Sequence, residues 1–214
     1  MMIVSLILIK KFCKTKKSQN ITIIVSAGIL LGLIIFNRIS LSAHRGNWLR
    51  LIPASFCGTT SLVFSVVTII FVLKFDLNHA IFHFLVYIAI AGGALTIIAP
   101  SFLGQADSIF HLRTISGLLH HSMSLYLAIL IIMLGRFKPS IKRIHCFWLG
   151  LTVYMTWGLF LIHAIGLRDA MNINFPAASG IYWYVAGGII LTIHFVFLVV
   201  YELVRKKISF ATCD

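Results

Sequence analysis

Residues 80–99 read AIFHFLVYIAIAGGALTIIA, twenty residues without one charged side chain. An α-helix rises about 1.5 Å per residue, so such a run is long enough to cross the roughly 30 Å hydrocarbon core of a bilayer. Comparable apolar runs occupy residues 21–36, 51–73, 115–134, 145–165 and 181–201. Every Lys, Arg, Asp and Glu lies outside these runs or at their edges. The pattern predicts an all-α fold, a polytopic transmembrane helix bundle with six full spans.

The overall composition indicates the same class of protein. Hydrophobic residues make up 60% of the chain, charged residues only 11%, and the mean hydropathy is +1.02. These values lie far from those of soluble domains. The net charge of +13 raises the question of a nucleic-acid partner, but no basic run is interleaved with stacking aromatic residues. We therefore expect membrane lipids as partners and no nucleic acid.

The basic residues divide unequally between the two predicted sides of the membrane. Thirteen of the eighteen lie on the side that holds both chain ends. They are Lys10, Lys11, Lys14, Lys16, Lys17, Lys74, Arg136, Lys138, Lys142, Arg143, Arg205, Lys206 and Lys207. The positive-inside rule places this side in the cytoplasm. The sequence thus predicts a multi-pass protein of the cell membrane with a cytoplasmic C-terminus.

The domain organisation follows from the spans. We predict a short apolar segment and a basic cytoplasmic loop over residues 1–20, the helical bundle over 21–204 and a basic cytoplasmic tail over 205–214. Residues 1–9 are apolar but would cover only about half a bilayer as a helix. They are compatible with a shortened span, an interfacial piece or a weak signal-like segment. Cleavage is not expected, because the apolar stretch precedes the basic run.

One cysteine and one histidine stand out inside the spans. Cys13, Cys146 and Cys213 lie on the predicted cytoplasmic side, which leaves Cys57 alone near the outer side without a disulfide partner. Cys57 and His121 each lie about six residues, roughly 9 Å, below the outer start of a span. A thiol beside an imidazole can become a nucleophilic thiolate and perform acyl transfer. The alternatives are that Cys57 is a small core residue and that His121 is a hydrogen-bonded structural histidine.

Short motifs along the chain carry a resemblance. Residues 52–57, IPASFC, resemble the Pro-Leu-His-Leu-Cys signature of the bacterial YwaF-type membrane proteins, which are related to the TMEM164 acyltransferases. Residues 99–100 and 110–113, followed by His121, are similar to that family's Thr-Pro, Pro-His-Leu-Arg and Ser-His-Gly series. Residues 172–175 and 180–184 resemble its Asn-Tyr-Met-Phe and Gly-Pro-Trp-Pro-Trp-Tyr segments. Ser55, His120 and Ser122 depart from the pattern.

The resemblance implies about seven spans, with residues 1–9 as the remnant of a first span. It also implies a Cys and His pair that moves fatty acyl chains between lipids, and by position these are Cys57 and His121. We accordingly predict Cys57 as the nucleophile and His121 as the base. His111, Arg113 and Asn172 are the predicted substrate-binding residues, for a headgroup phosphate or a developing oxyanion. No metal and no cofactor are expected.

Other functional classes remain open at this point. A non-enzymatic membrane protein, with a structural or interaction role or as an uncoupled transporter, is the main alternative. A b-type haem protein is a further one, because histidines facing each other across a bundle can be axial ligands. His121 with His163, and His83 with His194, are the candidate pairs, although the latter two are predicted to differ in depth by several ångströms. The donor lipid, the acceptor and the oligomeric state are not determined by the sequence.

Overall fold

The computed structural model describes residues 2–98, 110–174 and 182–211. Over these ranges the chain forms α-helices and no strand. The helices are α1 (Met2–Phe12), α2 (Lys16–Arg45), α3 (Phe56–Lys74), α4 (Phe82–Ile98), α5 (Leu112–Met133), α6 (His145–His163) and α7 (Trp183–Ala211). Five of them, α2, α3, α5, α6 and α7, carry stretches long and apolar enough to cross a membrane, and α4 is a shorter apolar helix of 17 residues. The predicted all-α polytopic bundle is confirmed.

Helix α2 is much longer than the predicted span at residues 21–36. It starts after Thr15, whose side chain accepts a hydrogen bond from the N–H of Ser18, and it ends at Gly46 in the left-handed conformation with φ of 60°. No Pro and no turn signal lie between these caps, so the helix continues beyond the apolar run. The extension places Asn37 and Arg38 inside a helix that packs in the bundle.

Helix α3 begins later than expected, at Phe56 instead of residue 51. Pro53 restricts the backbone before it, and Ser55 caps the first turn by accepting from the N–H of Gly58. Residues Trp48–Leu51 form a separate 3-10 helix. Cys57 is therefore the second residue of α3, and the predicted depth of six residues below the start of its span is wrong.

Helix α4 is the centre of the bundle. It packs against α3, α5, α6 and α7, and α2 packs against α3 and α5. Every residue from 82 to 89 in α4 is buried. A helix that is apolar around its whole circumference belongs inside a bundle. This explains why residues 80–99 show no amphipathic stripe.

The basic loops share one end of the bundle. Arg136, after α5, hydrogen bonds to Asn20 near the start of α2. Arg143, before α6, donates to the backbone carbonyl of Asn78 in the loop after α3 at 3.2 Å. The carboxylate of Glu202 in α7 accepts from a backbone N–H of the loop before α6 at 3.0 Å. We refer to this as the basic end, and the first turn of α3 lies at the opposite end.

The short N-terminal segment is a helix docked on the bundle. Leu6 of α1 is only 4% exposed and belongs to the hydrophobic core. The hydroxyl of Ser5 hydrogen bonds to that of Tyr126 in α5 at 3.5 Å. Residues 2–12 therefore pack as an additional short helix against α5.

Candidate functional site

A narrow crevice lies between α3, α4 and α5, in the half of the bundle away from the basic end. The space between its atoms, including the part open to the outside, is about 160 Å³, and it is too narrow to admit a water molecule. Its lining is small and polar on α3 and α5 and apolar on α4. The lining residues are Cys57, Thr60, Ser61, Ile88, Ala89, Gly92, Gly93, His121 and Ser124.

Cys57 and His121 meet at this crevice on either side of Gly92. A Cβ atom placed on Gly92 would lie 3.0 Å from Sγ of Cys57 and 4.0 Å from Nδ1 of His121. His121 is buried, with 6% of its surface exposed, and its imidazole faces the backbone carbonyl of Gly92. No direct hydrogen bond joins the thiol to the imidazole. Because Gly92 has no side chain, the thiol and the imidazole can both lie close to its backbone.

The close approach of α4 and α5 depends on the next residue, Gly93. A Cβ atom there would lie 2.6 Å from Cβ of Leu125 and 2.8 Å from the backbone oxygen of His121. Both distances are shorter than van der Waals contact, so any larger residue would push the helices apart. Small residues allow such backbone contact in membrane helices. Gly93 therefore sets the position of His121 relative to α4.

His120, the neighbour of His121, points to a different partner. One of its ring nitrogens, Nδ1, is hydrogen bonded to the hydroxyl of Ser61 in α3 at 3.2 Å. Its ring lies 4.3 Å from that of His121, measured between centroids. The two adjacent histidines thus have different neighbours: His120 ties α5 to α3, and His121 lies against Gly92 at the crevice.

Arg38 is the residue of this region that the sequence interpretation missed. The sequence analysis predicts no role for it in a site, yet its guanidinium lies over the first turn of α3. A Cβ atom built on Gly58 would lie 3.0 Å from Nη2 of Arg38. The positive charge of Arg38 is close enough to the Cys57 thiol to interact with it electrostatically. The signal in the sequence was the pair Asn37-Arg38 directly after an apolar run. Polar residues inside spans are usually functional.

Asn37 anchors this arginine. Its side-chain amide donates to the hydroxyl of Ser116 in α5 at 2.9 Å, and its carbonyl oxygen accepts from Nη2 of Arg38 at 3.2 Å. Asn37 is 1% exposed. The side chain therefore links α2, α5 and Arg38 in one buried chain of hydrogen bonds.

Two buried hydroxyl groups lie next to Cys57 and close to each other. Tyr154 of α6 lies near both Thr60 and Cys57, and it is 5% exposed, whereas Thr60 is 1% exposed. The two hydroxyls lie within reach of each other, but they form no well-aligned hydrogen bond, and neither has another partner within the described chain. Leaving a buried hydroxyl unpaired costs about 1 to 3 kcal/mol. Unpaired groups of this kind call for a ligand or a functional role.

Two of the predicted substrate-binding residues, His111 and Asn172, are not among the described residues that line the crevice. His111 precedes α5 and its ring packs at 5.5 Å on that of His44 at the end of α2. The side chain of Arg113 lies outside the described part of the structure. Asn172 lies in the loop after α6, where its neighbour Met171 donates a backbone hydrogen bond to Ala54 at 2.7 Å. Met171 and Asn172 both have a φ of 53°, which is a strained backbone conformation for residues other than glycine.

The histidines of the haem alternative are not arranged as the sequence suggested. His163 is exposed at the end of α6, whereas His121 is buried. His83 and His194 have one aromatic neighbour in common. Both pack on the ring of Tyr87, with centroid distances of 6.4 and 3.7 Å. Within the described ranges, no group of three or more His, Cys, Asp or Glu residues is placed to hold a metal ion.

Comparison with known proteins gives one result. No curated protein and no solved structure is significantly similar to this chain. A sequence profile described as the TMEM164 family matches residues 1–201, which includes all the residues of the crevice. With a match over nearly the whole chain, and with a bundle of apolar helices that fits a multi-pass membrane protein, the chain belongs to the TMEM164 family.

Proposed function

We propose that this protein transfers or hydrolyses fatty acyl groups of membrane lipids, with Cys57 as nucleophile and His121 as general base and acid. The observation that carries the proposal is the convergence of Sγ of Cys57 and Nδ1 of His121 on Gly92. The two residues come from helices α3 and α5, more than sixty positions apart in the chain. The resemblance of their motifs to those of acyltransferases supports the same chemistry.

The reaction consists of two steps. His121 takes the proton of the Cys57 thiol, and the thiolate attacks the carbonyl carbon of a lipid ester. A C–S bond forms, the C–O bond to the lipid breaks, and the leaving alkoxide takes the proton back from the imidazolium. In the second step an acceptor hydroxyl, or water for hydrolysis, loses its proton to His121 and attacks the thioester. The new C–O bond forms, the C–S bond breaks, and the leaving thiolate takes the proton from the imidazolium, which restores both residues.

The closed crevice sets a condition on this mechanism. The crevice between Cys57 and His121 has no room for a water molecule. An ester carbonyl can therefore enter only when α3 moves away from α4 and α5 or when the side chains rotate. Exclusion of water from the closed state protects the thiolate and a thioester from hydrolysis. Entry of an acyl chain from the lipid side would supply the apolar contacts that separate the helices.

The buried hydroxyls of Thr60 and Tyr154 have a role in this proposal. The two hydroxyls have only each other within reach in the described chain, without a well-aligned hydrogen bond, and Tyr154 lies near the Cys57 sulfur. The attack of the thiolate places negative charge on the carbonyl oxygen. Donors that are already in place and desolvated stabilise such an oxyanion strongly. We assign the two hydroxyls to this function.

The site would open toward the outer leaflet. The basic end of the bundle gathers Arg136 and Arg143, and the positive-inside rule assigns that end to the cytoplasm. The cell membrane, a cytoplasmic C-terminus and headgroup contacts by His111, Arg113 and Asn172 are parts of the proposal. The hydrogen bond from Met171 to Ala54 supports the part concerning Asn172, because it ties the Asn172 loop to the segment just before Cys57.

The experiment is an acyl-exchange assay on the full chain reconstituted in vesicles. The vesicles contain a diacyl phosphatidylcholine with deuterated chains and an unlabelled lysophospholipid, and mass spectrometry follows the transfer of deuterated chains. We expect Cys57→Ala and His121→Ala each to abolish exchange, and the double variant to be hardly worse than either, because the two groups act as a unit.

Matched controls separate chemistry from folding. Cys146→Ala removes another partly buried thiol and should leave exchange intact. His120→Ala removes the adjacent histidine, which is bonded to Ser61, and should reduce stability more than it reduces exchange per folded molecule. A His121 variant with full exchange would show that the pair is structural. The absence of exchange from the folded wild-type protein would favour the non-enzymatic alternative.

A further inference from the structure

Arg38 is a charged side chain on a helix whose outer surface is apolar. Its neighbours on α2, Phe36 and Ile39, are 44% and 52% exposed. Its Nη2 donates to the neutral amide oxygen of Asn37 at 3.2 Å, and its Nε is buried without a hydrogen-bond partner in the described chain. No carboxylate of the described ranges acts on the guanidinium. Burying a charge without compensation is costly, so Arg38 requires a group of opposite charge.

The packing of α2 on α3 brings the guanidinium to the residue that follows Cys57. A Cβ atom built on Gly58 would lie 3.0 Å from Nη2 and 3.3 Å from Cζ of Arg38. Because Gly58 has no side chain, the guanidinium can lie close to the first turn of α3, which also contains Cys57. The two residues attract each other electrostatically when the sulfur is a thiolate. Each residue therefore offers the other a charge of opposite sign.

Other ionisable groups also surround Cys57. Helix α5 supplies His121 and the adjacent His120, α6 supplies Tyr154, and α4 lines the crevice with apolar residues and glycines. Arg50, in the 3-10 helix, acts on Arg38 but is exposed, so solvent and salt screen its charge. A guanidinium stays charged at every pH at which proteins fold. Arg38 is therefore a permanent positive charge that acts on the sulfur from within the bundle.

We infer that Arg38 is the counter-charge of the Cys57 thiolate and stabilises the anion that attacks the lipid ester. The inference rests on the proposed acyl chemistry. When His121 removes the thiol proton, the sulfur becomes negative, and no direct hydrogen bond from the imidazole holds it. Between packed helices opposite charges attract each other more strongly than in water. A cysteine beside an arginine, in the first turn of a helix, is in a setting that favours the thiolate. The guanidinium thus supplies stabilisation that the imidazole does not.

The test measures the reactivity of the Cys57 sulfur, which requires no acyl transfer. The full chain in maltoside detergent keeps Cys57 as its single cysteine, with serine replacing Cys13, Cys146 and Cys213. Iodoacetamide is the probe, because the thiolate displaces its iodide and forms a C–S bond, whereas the thiol does not react. Mass spectrometry gives the alkylation rate at neutral pH. The limiting rate in alkaline solution, where the sulfur is fully ionised, reports access of the reagent.

Arg38→Gln should lower the neutral-pH rate by about 10-fold or more and leave the limiting rate unchanged. Arg38→Lys keeps a positive charge and should retain most of the reactivity. Asn37→Asp places a carboxylate beside the guanidinium and should lower the neutral-pH rate as well, which keeps the test decisive if Arg38→Gln fails to fold. Arg50→Gln is the matched control, because it removes an exposed arginine at the same end of the bundle, and it should leave both rates unchanged.

Three results would overturn the inference. The first is a neutral-pH rate equal to that of the parent protein in folded Arg38→Gln, or in Asn37→Asp if Arg38→Gln does not fold. The second is a parallel fall of the limiting rate, because Arg38 would then control access to the sulfur and not its charge. The third is an equal loss in Arg50→Gln, which would show a general effect of positive charge at this end.

The acyl-exchange assay on the same Arg38 variants of the otherwise wild-type chain separates this inference from the proposed function. We expect Arg38→Gln to reduce exchange together with the neutral-pH alkylation rate. Alkylation that depends on Arg38 in a protein that exchanges no acyl chain would support the counter-charge and refute only the acyl chemistry. Exchange and alkylation that are both unaffected by Arg38→Gln would refute the role of Arg38 and leave the Cys57 and His121 pair in place.

Discussion

The neighbouring glycines of α4 give the sharpest prediction, because an added methyl group has different consequences at the two positions. At Gly93 it would lie 2.6 Å from Cβ of Leu125 and 2.8 Å from the backbone oxygen of His121. Neither atom can move without shifting α5. At Gly92 the nearest atom is Sγ of Cys57 at 3.0 Å, which a rotation of the cysteine side chain can displace.

The magnitudes follow from two opposing terms. Overpacking a tight contact costs about 1 to 3 kcal/mol, while replacing Gly by Ala inside a helix gains up to about 1 kcal/mol. Gly93→Ala should therefore destabilise the protein by about 1 to 2 kcal/mol, which lowers the Tm by about 2 to 8 °C for a chain of this length. Gly92→Ala should leave the Tm equal to that of the wild type or slightly higher.

Acyl-exchange activity should be affected in the reverse order, more by Gly92→Ala than by Gly93→Ala. The methyl group of Gly92→Ala fills the space between Cys57 and His121, and a displacement of reacting groups by about 1 Å can cost about 100-fold in rate. Thermal unfolding in detergent and the acyl-exchange assay measure the two effects on the same preparations. A Gly93→Ala protein as stable as the wild type, or a Gly92→Ala protein that loses more stability than Gly93→Ala, would refute the described packing of α4 on α5.

The remaining predictions concern other parts of the bundle. Asn37→Ala should cost about 1 to 3 kcal/mol because it leaves buried groups of Ser116 and Arg38 without this partner, and a double-mutant cycle with Ser116→Ala should show coupling between the two residues in thermal unfolding. Topology reporters fused at Arg143 and at Asn172 should give opposite signals, and equal signals would contradict the six-span arrangement. The purified protein should be colourless, and a Soret band abolished by His163→Ala would contradict the arrangement in which His163 is exposed.

The class of fold was accessible from the sequence because a bilayer imposes a strict rule on composition. Six uncharged runs of suitable length can be satisfied only by helices that pair their own backbone groups, so the bundle follows from hydropathy alone. The helix ends were less accessible. The predicted span at residues 21–36 is shorter than helix α2, because helix continuation depends on caps such as Gly46, and apolar character ends earlier than the helix does.

The candidate site illustrates the other limit. Depth along each span predicted that Cys57 and His121 could meet, even though the assumed start of α3 was wrong. Helix rotation decides which side chains face each other, and it is set by contacts between distant segments, such as the packing of Gly93 on Leu125. Arg38 shows this most clearly: in the sequence it is one of eighteen basic residues, and only the packing of α2 on α3 places it over the first turn beside Cys57. Hydropathy is a property of each residue, so it can be read directly from the sequence. A site between helices forms only when helix packing brings its residues together.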